Sequence, residues 1–313
     1  MRLSCRTTAA LHPGLALALL AVQPACSLDY VPLGAGGCPD ATYVRPAVVN
    51  DVSLVNADDW APAVSGDERV MVFASWRSGG TGGSDLWIAT RPDVDRPFSA
   101  PEPIAELNTP DFESGPSLSA DGLTICFESD RPGGAGSADL YVASRRDRGS
   151  RFDAPVALAA VNSGDWDANC NLDGAGLSIV FAGRVASGGG GKDLWTASRP
   201  DTSAAFRAPA PLSGANTQHA EDQPCLSADG LALYFASDRP GGSGGYDIYV
   251  ARRETLSAPF GPAENLAALN TGNDDGHPSL SGDGGRMYLN RDAHFFGGQP
   301  PAQIWVAERQ CGP

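Results

Sequence analysis

The sequence predicts an all-β protein, a five-bladed β-propeller of four-stranded blades, and three observations predict it. A short aromatic-rich element returns at a fixed step of 54 residues. Each repeat holds four short β runs, a to d, separated by Gly, Pro, Asn and Asp signals, with nothing of helical period. The middle runs, such as Leu123–Phe127 and Leu231–Phe235, are apolar at nearly every position, which suits strands covered on both faces. Four-stranded units that must bury both faces against their neighbours make a propeller.

The chain begins with Arg2 and Arg6, then an apolar run from Ala9 to Val22 that is short for a membrane span and ends in small residues. Residues 1–25 are therefore expected to be an export signal peptide. Its end, Gln23-Pro24-Ala25-Cys26, resembles a bacterial lipoprotein cleavage box, which implies lipidation of Cys26; Gln23 departs from the leucine usual there. No other apolar stretch reaches membrane length, so membrane contact is expected only through the lipid anchor. Residues 26–42, with Gly34, Gly36, Gly37 and Pro39, read as a tether. The expected location is the cell envelope, in the periplasm or on the outer membrane.

From residue 43 to 311 the repeat governs. Its c element reads DLWIATR from Asp85, DLYVASR from Asp139, DLWTASR from Asp193 and DIYVARR from Asp247, with a looser QIWVAER from Gln303. Strand b carries Phe73, Phe127, Phe181, Phe235 and Leu289 at one position. The a–b turn is SADG at Ser119–Gly122 and Ser227–Gly230, and SGDG at Ser281–Gly284. A final element opens with Phe98, Phe152, Phe206 or Phe260 and closes on Asn108, Asn162, Asn216 or Asn270. Five first elements meet only four final ones. The missing one stands at the front, where Tyr43-Val44-Arg45-Pro46 through Asn56 resembles it. Blades are thus expected at about 58–110, 111–164, 165–218 and 219–272, with 273–309 completed by 43–57, so that the N-terminal strand closes the last blade. Cys38 precedes that strand and Cys311 follows its expected neighbour, so a Cys38–Cys311 disulfide is expected in an exported chain. Cys126, Cys170 and Cys225 are expected to be buried thiols.

Net charge is −15. Such a balance would repel a polyanion and excludes nucleic-acid binding driven by bulk charge.

The run of an acidic residue, PSLSADG, an apolar strand, SDRPGG, a Gly-rich loop, DLY or DIY and a closing NT is similar to the TolB-type, WD40-like β-propeller repeat. Blades 2 and 4 match best, at Pro116–Tyr141 and Pro224–Tyr249. Blade 3 departs at Asn169-Cys170-Asn171 and at Gly183-Arg184-Val185, and blade 5 at Asn290–Pro301. The resemblance implies a scaffold for binding and assembly in the bacterial envelope more than for catalysis.

One position is acidic in every blade: Asp59, Glu113, Asp167, Glu221 and Asp275. It precedes strand a, so a ring of five carboxylates is expected at one mouth of the channel. The ring could hold a cation such as Ca²⁺, or each acid could serve its own blade by pairing with Arg77, Arg131 or Arg239. Arg91, Arg145, Arg199, Arg253 and Arg309 are expected at the opposite mouth, pairing with the turn acids Asp67, Asp121, Asp229 and Asp283. Binding sites tend to break a repeat's symmetry, and aromatic residues do so at the acidic mouth: Trp60, Trp76, Phe112, Trp166, Phe295 and Phe296. Such faces beside carboxylates suit a sugar ring or a partner's apolar side chains, although packing beneath the loops would also explain each. His219, His277 and His294 share this mouth without metal-ligand spacing. The expected function is therefore to bind an envelope protein or glycan, with no cofactor. The alternative is a propeller glycoside hydrolase, which needs two carboxylates in unlike environments, whereas the ring acids are near copies of one another.

Overall fold

The computed structural model describes residues 42–184, 191–292 and 301–310. The leader, Cys26, the tether as far as residue 41, the Cys38–Cys311 pair, His294, Phe295 and Phe296 lie outside the described residues.

Twenty strands form five four-stranded antiparallel sheets among the described residues. β1 (Thr42–Val48) comes first, then blade 1 with β2 (Asp59–Val64), β3 (Val70–Ser75), β4 (Asp85–Thr90) and β5 (Glu102–Pro103). Blade 2 holds β6 (Glu113–Leu118), β7 (Thr124–Ser129), β8 (Asp139–Ser144) and β9 (Val156–Ala157). Blade 3 holds β10 (Asp167–Leu172), β11 (Ser178–Gly183), β12 (Asp193–Ser198) and β13 (Ala210–Pro211). Blade 4 holds β14 (Glu221–Leu226), β15 (Ala232–Ser237), β16 (Asp247–Arg252) and β17 (Glu264–Asn265). Blade 5 is β18 (Asp274–Leu280), β19 (Arg286–Asp292) and β20 (Gln303–Gln310), with β1 as its outer strand.

The apolar core lies between blades. Val72 and Leu86 of blade 1 pack on Ile125, Phe127 and Tyr141 of blade 2, and four further clusters join the remaining neighbours, the last bringing Met71 and Phe73 against Tyr288 and Ile304. The repeated strand b residues Phe73, Phe127, Phe181, Phe235 and Leu289 are at most 1% exposed. Burying each contributes about 2 kcal/mol.

Three devices recur among the blades and hold them together. The turn serine accepts the N–H five residues on (Ser119 Oγ from Thr124, 2.8 Å) and donates to the turn aspartate (Ser119 Oγ to Asp121, 2.6 Å). The closing asparagine brackets strand c: Asn108 Oδ1 accepts the Leu86 N–H at 2.8 Å and its Nδ2 donates to the Leu86 carbonyl at 3.0 Å. Asn162, Asn216 and Asn270 do the same to Leu140, Leu194 and Ile248. In the fifth blade Ser53, not Asn56, takes this place and accepts the Ile304 N–H at 2.9 Å. In the b–c loops the first glycine (Gly79, Gly133, Gly241) has φ near +100°. A Cβ on the second (Gly80, Gly134, Gly242) would stand within 2 Å of the carboxylate of Asp85, Asp139 or Asp247. These aspartates accept the loop's N–H groups, as Ser243 to Asp247 at 2.8 Å.

The strand c arginines differ from expectation. Arg145, Arg199 and Arg253 donate Nε–H to the carbonyls of Gly122, Gly176 and Gly230 at 2.7–2.9 Å, not to the turn carboxylates. Their guanidinium groups lie 4.5–4.6 Å from the ring centres of Phe152, Phe206 and Phe260. Asp67, Asp121, Asp229 and Asp283 accept from their own turn serines, Asp67 from Arg148 as well, and Arg91 pairs with Glu68 at 3.4 Å, so Arg145, Arg199 and Arg253 tie turn, strand and final element together through carbonyl and π contacts.

Two cysteines expected as thiols form a disulfide, Cys126–Cys170, while Cys225 is a buried free thiol. Cys170 stands where the other blades have Pro62, Pro116, Pro224 and Pro278, and Cys126 where they have Val72, Val180, Tyr234 and Tyr288. Strand b of one blade faces strand a of the next, so the two substitutions meet across the blade 2–blade 3 interface. Closing a loop with a sequence separation of 44 contributes about 4 kcal/mol in the chain-entropy picture. The double variant C126A/C170A is expected to lose up to about that much stability in urea unfolding, and a reductant should weaken the parent chain but leave the variant unchanged. Equal stabilities of parent and variant would contradict the staple.

Candidate functional site

The five acids open the innermost strands and are at most 3% exposed. Glu113 shows why. Its carboxylate accepts from Thr109 N (2.8 Å), Thr109 Oγ1 (2.6 Å), Ser129 Oγ (2.8 Å) and Arg131 Nη2 (3.2 Å). The same arginine donates to the carbonyl of Leu107 at 2.7 Å, tying the preceding blade's last strand to this one. Asp59 with Arg77 and Glu221 with Arg239 repeat the pattern at 2.5 and 3.0 Å. Asp275 pairs with Arg291 at 2.7 Å, an arginine two positions earlier than its counterparts that reading along the repeat passes over. Asp167 accepts from Ser163 N at 2.6 Å and has no arginine partner among the described residues. Burial raises Asp59, Asp167 and Asp275 above the usual carboxylate range against these bonds. Each acid thus spends its acceptors on the frame, chiefly on the end of the preceding blade and on its own blade's strand b or arginine where one is present. Among the described residues no three acidic, histidine or cysteine side chains are placed to hold a metal ion.

Every strand a carries a β-bulge just after its acid, where the pairing register shifts. The bulge residues Ala61, Gly115, Asn169, Gln223 and His277 all have φ between +47° and +56°. That backbone costs a residue with a Cβ about 1 kcal/mol or more, and it turns the side chain toward the axis. At Gly115 a Cβ would lie 2.7 Å from Asn169 Oδ1, so the Asn169 side chain would have to move to admit one. Blades 3, 4 and 5 fill the axis. Gln223 Oε1 accepts the His277 N–H at 2.9 Å, and the His277 ring reaches Asn290 Oδ1 at 2.6 Å and Asn169 Oδ1 at 3.2 Å. Asn169, Gln223 and His277 line both a lower chamber of about 110 Å³ and an upper one of about 380 Å³, so they form the partition between them.

The upper chamber is the candidate site. Its walls include Trp60, Trp76, Phe112 and Trp166. Trp60 stacks on Phe112 with ring centres 6.5 Å apart, meets Trp76 edge-on at 5.1 Å, and donates Nε1–H to Ser114 Oγ at 2.9 Å. Its floor is polar. Asp222 accepts from Asn169 Nδ2 (2.8 Å), its neighbour Gln223 N (2.8 Å) and Lys192 Nζ (2.7 Å), and Lys192 also lies 4.6 Å from the Trp166 ring centre. Burial alone would lower the Lys192 ammonium, but the adjacent Asp222 outweighs it and raises it. Glu128 also lines the chamber, is 7% exposed, and its Oε2 has no hydrogen-bond partner among the described residues. Burial, with the charge of Asp222, pushes Glu128 up to about 8 against the opposing pull of Lys192, the Asn169 N–H and Ser114. His277 is lowered by burial to about 4 and is neutral at pH 7.

Of the residues singled out by sequence, Trp60, Trp76, Phe112, Trp166 and His277 line this chamber; the five acids lie outside its wall, and His219 sits 4.0 Å from Asp238. Glu128, Asp222, Lys192, Asn169 and Asn290 were missed. The signal was present: Glu128 replaces Ala74, Ala182 and Ala236, and Asp222 stands where other blades have Trp60, Ser114, Ala168 and Gly276. A search for departures confined to aromatic residues passes over both.

Folding raises the proton affinity of Glu128. Between its ordinary value of 4.5 and about 8 the folded chain holds a proton that the unfolded chain has released, so this group's contribution to stability is complete below 4.5 and is lost as pH rises. His277 acts in the opposite sense, its contribution being lost as pH falls from 6.5 toward about 4. Glu128→Gln is therefore expected to match the parent near pH 5 and to be increasingly more stable toward pH 8 in thermal unfolding. A difference that stays constant with pH would contradict a proton held at Glu128.

No family model matches the chain, and no curated protein matches it in sequence. Solved structures do match. A TolB from Agrobacterium tumefaciens superposes with TM-score 0.50 at 17% identity, over 80% of this chain and 76% of that one. An α-L-arabinofuranosidase from Lactobacillus brevis gives TM-score 0.56 at 11% identity, over 84% and 94%. A xylan β-1,4-xylosidase from Bacillus halodurans gives 0.50 at 12%, over 81% and 53%. At these identities the likeness is one of architecture: this chain is a five-bladed β-propeller similar in fold to a TolB, to an arabinofuranosidase and to a xylosidase alike.

Proposed function

We propose that the chain is an exported propeller, tethered in the cell envelope through Cys26, that binds a glycan in the upper chamber. The observation that carries this reading is the chamber itself. Aromatic walls stand over a polar floor at the place where the five blades cease to be copies. Sugars present apolar C–H faces and a rim of hydroxyl groups, and such a chamber offers rings for the first and carboxylate, amide and ammonium groups for the second. About 380 Å³ falls toward the small end of ligand pockets, which favours a terminal sugar unit over a flat protein surface. Lys192 already occupies one face of Trp166, and Glu128 is neutral at pH 7, which makes the chamber a weaker match to a cationic ligand. The leader and the Cys126–Cys170 disulfide both suit an oxidising compartment outside the cytoplasm.

Three chamber tryptophans make the test direct. Titration with xylo-, arabino- and cello-oligosaccharides is expected to give a saturable change in tryptophan fluorescence. Trp76→Ala, a site 40% exposed in the parent, and Trp166→Ala should each weaken binding about tenfold or more, the effect of losing one stacking contact worth about 1.4 kcal/mol. Parent-like unfolding curves would show that these variants fold. Absence of a saturable response to every sugar would overturn the reading.

A further inference from the structure

Two buried carboxyl groups in the chamber differ in their hydrogen bonding. Glu128, on strand b of blade 2, is part of the chamber lining, and its buried Oε2 has no hydrogen-bond partner among the described residues. A buried carboxyl oxygen left unpaired is costly to keep. Three of the other blades place alanine here and avoid that cost. Asp222, on strand a of blade 4, is also buried but is well partnered. Three of the roughly four acceptor directions of a carboxylate are filled by Asn169, Gln223 and Lys192. One direction is left over among the described residues. Asn169 joins the pair, its amide donating to Asp222 at 2.8 Å while its main-chain N–H faces Glu128. The near-identity of the ring acids, which argues against catalysis by them, does not extend to these two.

We propose that the upper chamber hydrolyses a glycosidic bond of a terminal sugar, with Glu128 giving its proton to the leaving oxygen and Asp222 taking one from the attacking water. The proposal rests on the glycan reading and adds a reaction to it. The bond from the anomeric carbon to the leaving oxygen breaks, and that oxygen receives the Glu128 proton. The water oxygen bonds to the same carbon from the opposite face, and its proton passes to Asp222. Solvent then returns a proton to Glu128 and removes one from Asp222, so the net change is one ether and one water giving two hydroxyl groups. The Asp222 charge also faces the positive charge that develops on the sugar ring. Burial supports the assignment, because it keeps Glu128 protonated at neutral pH.

The test uses the full chain and 4-nitrophenyl glycosides of α-L-arabinofuranose, β-D-xylose, β-D-glucose and β-D-galactose, with arabinoxylo-oligosaccharides as natural-type probes. The parent is expected to release 4-nitrophenol or free sugar from at least one, with the anomeric configuration inverted by NMR. Glu128→Gln and Asp222→Asn should each lower kcat by about 100-fold or more while fluorescence binding of the sugar survives. The basic limb of the kcat profile should disappear with Glu128→Gln. Saturable binding by the parent without turnover on any probe overturns hydrolysis and leaves the glycan reading standing; absence of both overturns both. Turnover that persists in Glu128→Gln, or retention of configuration, overturns the assigned roles.

Discussion

Closure of the ring by β1 is the constraint on which the rest depends. β1 pairs along β20 from Thr42 with Gln310 to Val48 with Trp305, interrupted by a bulge at Arg45, whose φ is +53°. Without β1 the long strand β20 would end blade 5 as an open edge of unpaired N–H and C=O groups. Tyr43 donates to the Gly284 carbonyl at 2.9 Å across 241 residues, fixing the strand over its own final turn. On the other side of blade 5, Glu68 of blade 1 accepts from Tyr288 Oη at 2.7 Å and pairs with Arg286 at 3.2 Å, and Asp59 N–H reaches the Ala302 carbonyl at 3.0 Å. These contacts join first blade to last. The upper chamber needs them, because Trp60 comes from blade 1 and Asn290, His277 and Ala302 from blade 5.

The repeat then divides its residues by task. Positions that recur in the blades, such as the buried acid, the turn serine and aspartate, the bracketing asparagine and the strand c arginine, spend their polar groups on neighbours and build the frame. Positions at the axis have no such duty. The bulge there imposes one unusual backbone conformation on five different residues, and blades 3, 4 and 5 use it to carry Asn169, Gln223 and His277. Because these three close the channel midway, the upper chamber has a floor against which a small ligand can rest, instead of an open bore.

Much of this was legible in the residues. A period of 54 residues, runs of both-face apolar strands and an unpaired final element at the front specify the blade count, the strand order and the closure, since each is a statement about chain connectivity. What escaped the sequence concerns contacts between repeats. Cys126 and Cys170 are 44 residues apart and adjacent only across a blade interface. Arg291 reaches Asp275 from a shifted position, which alignment by step does not show. Asn56 looked like the bracketing asparagine because it ends the element, but the hydrogen bonds place Ser53 there. Glu128 and Asp222 are conspicuous only once the same positions of all five blades are compared for every residue type, and Asp222 also borders the strand a bulge, which alters the facing expected from simple alternation.

Native-state hydrogen exchange, read strand by strand, tests the closure most directly. If β1 locks the ring, the amides of β19 and β20 exchange only through global unfolding, at the same free energy as those of β3, β7, β11 and β15. Exchange of β1 and β20 through a separate, low-energy opening, with the other four blades still protected, would contradict the account.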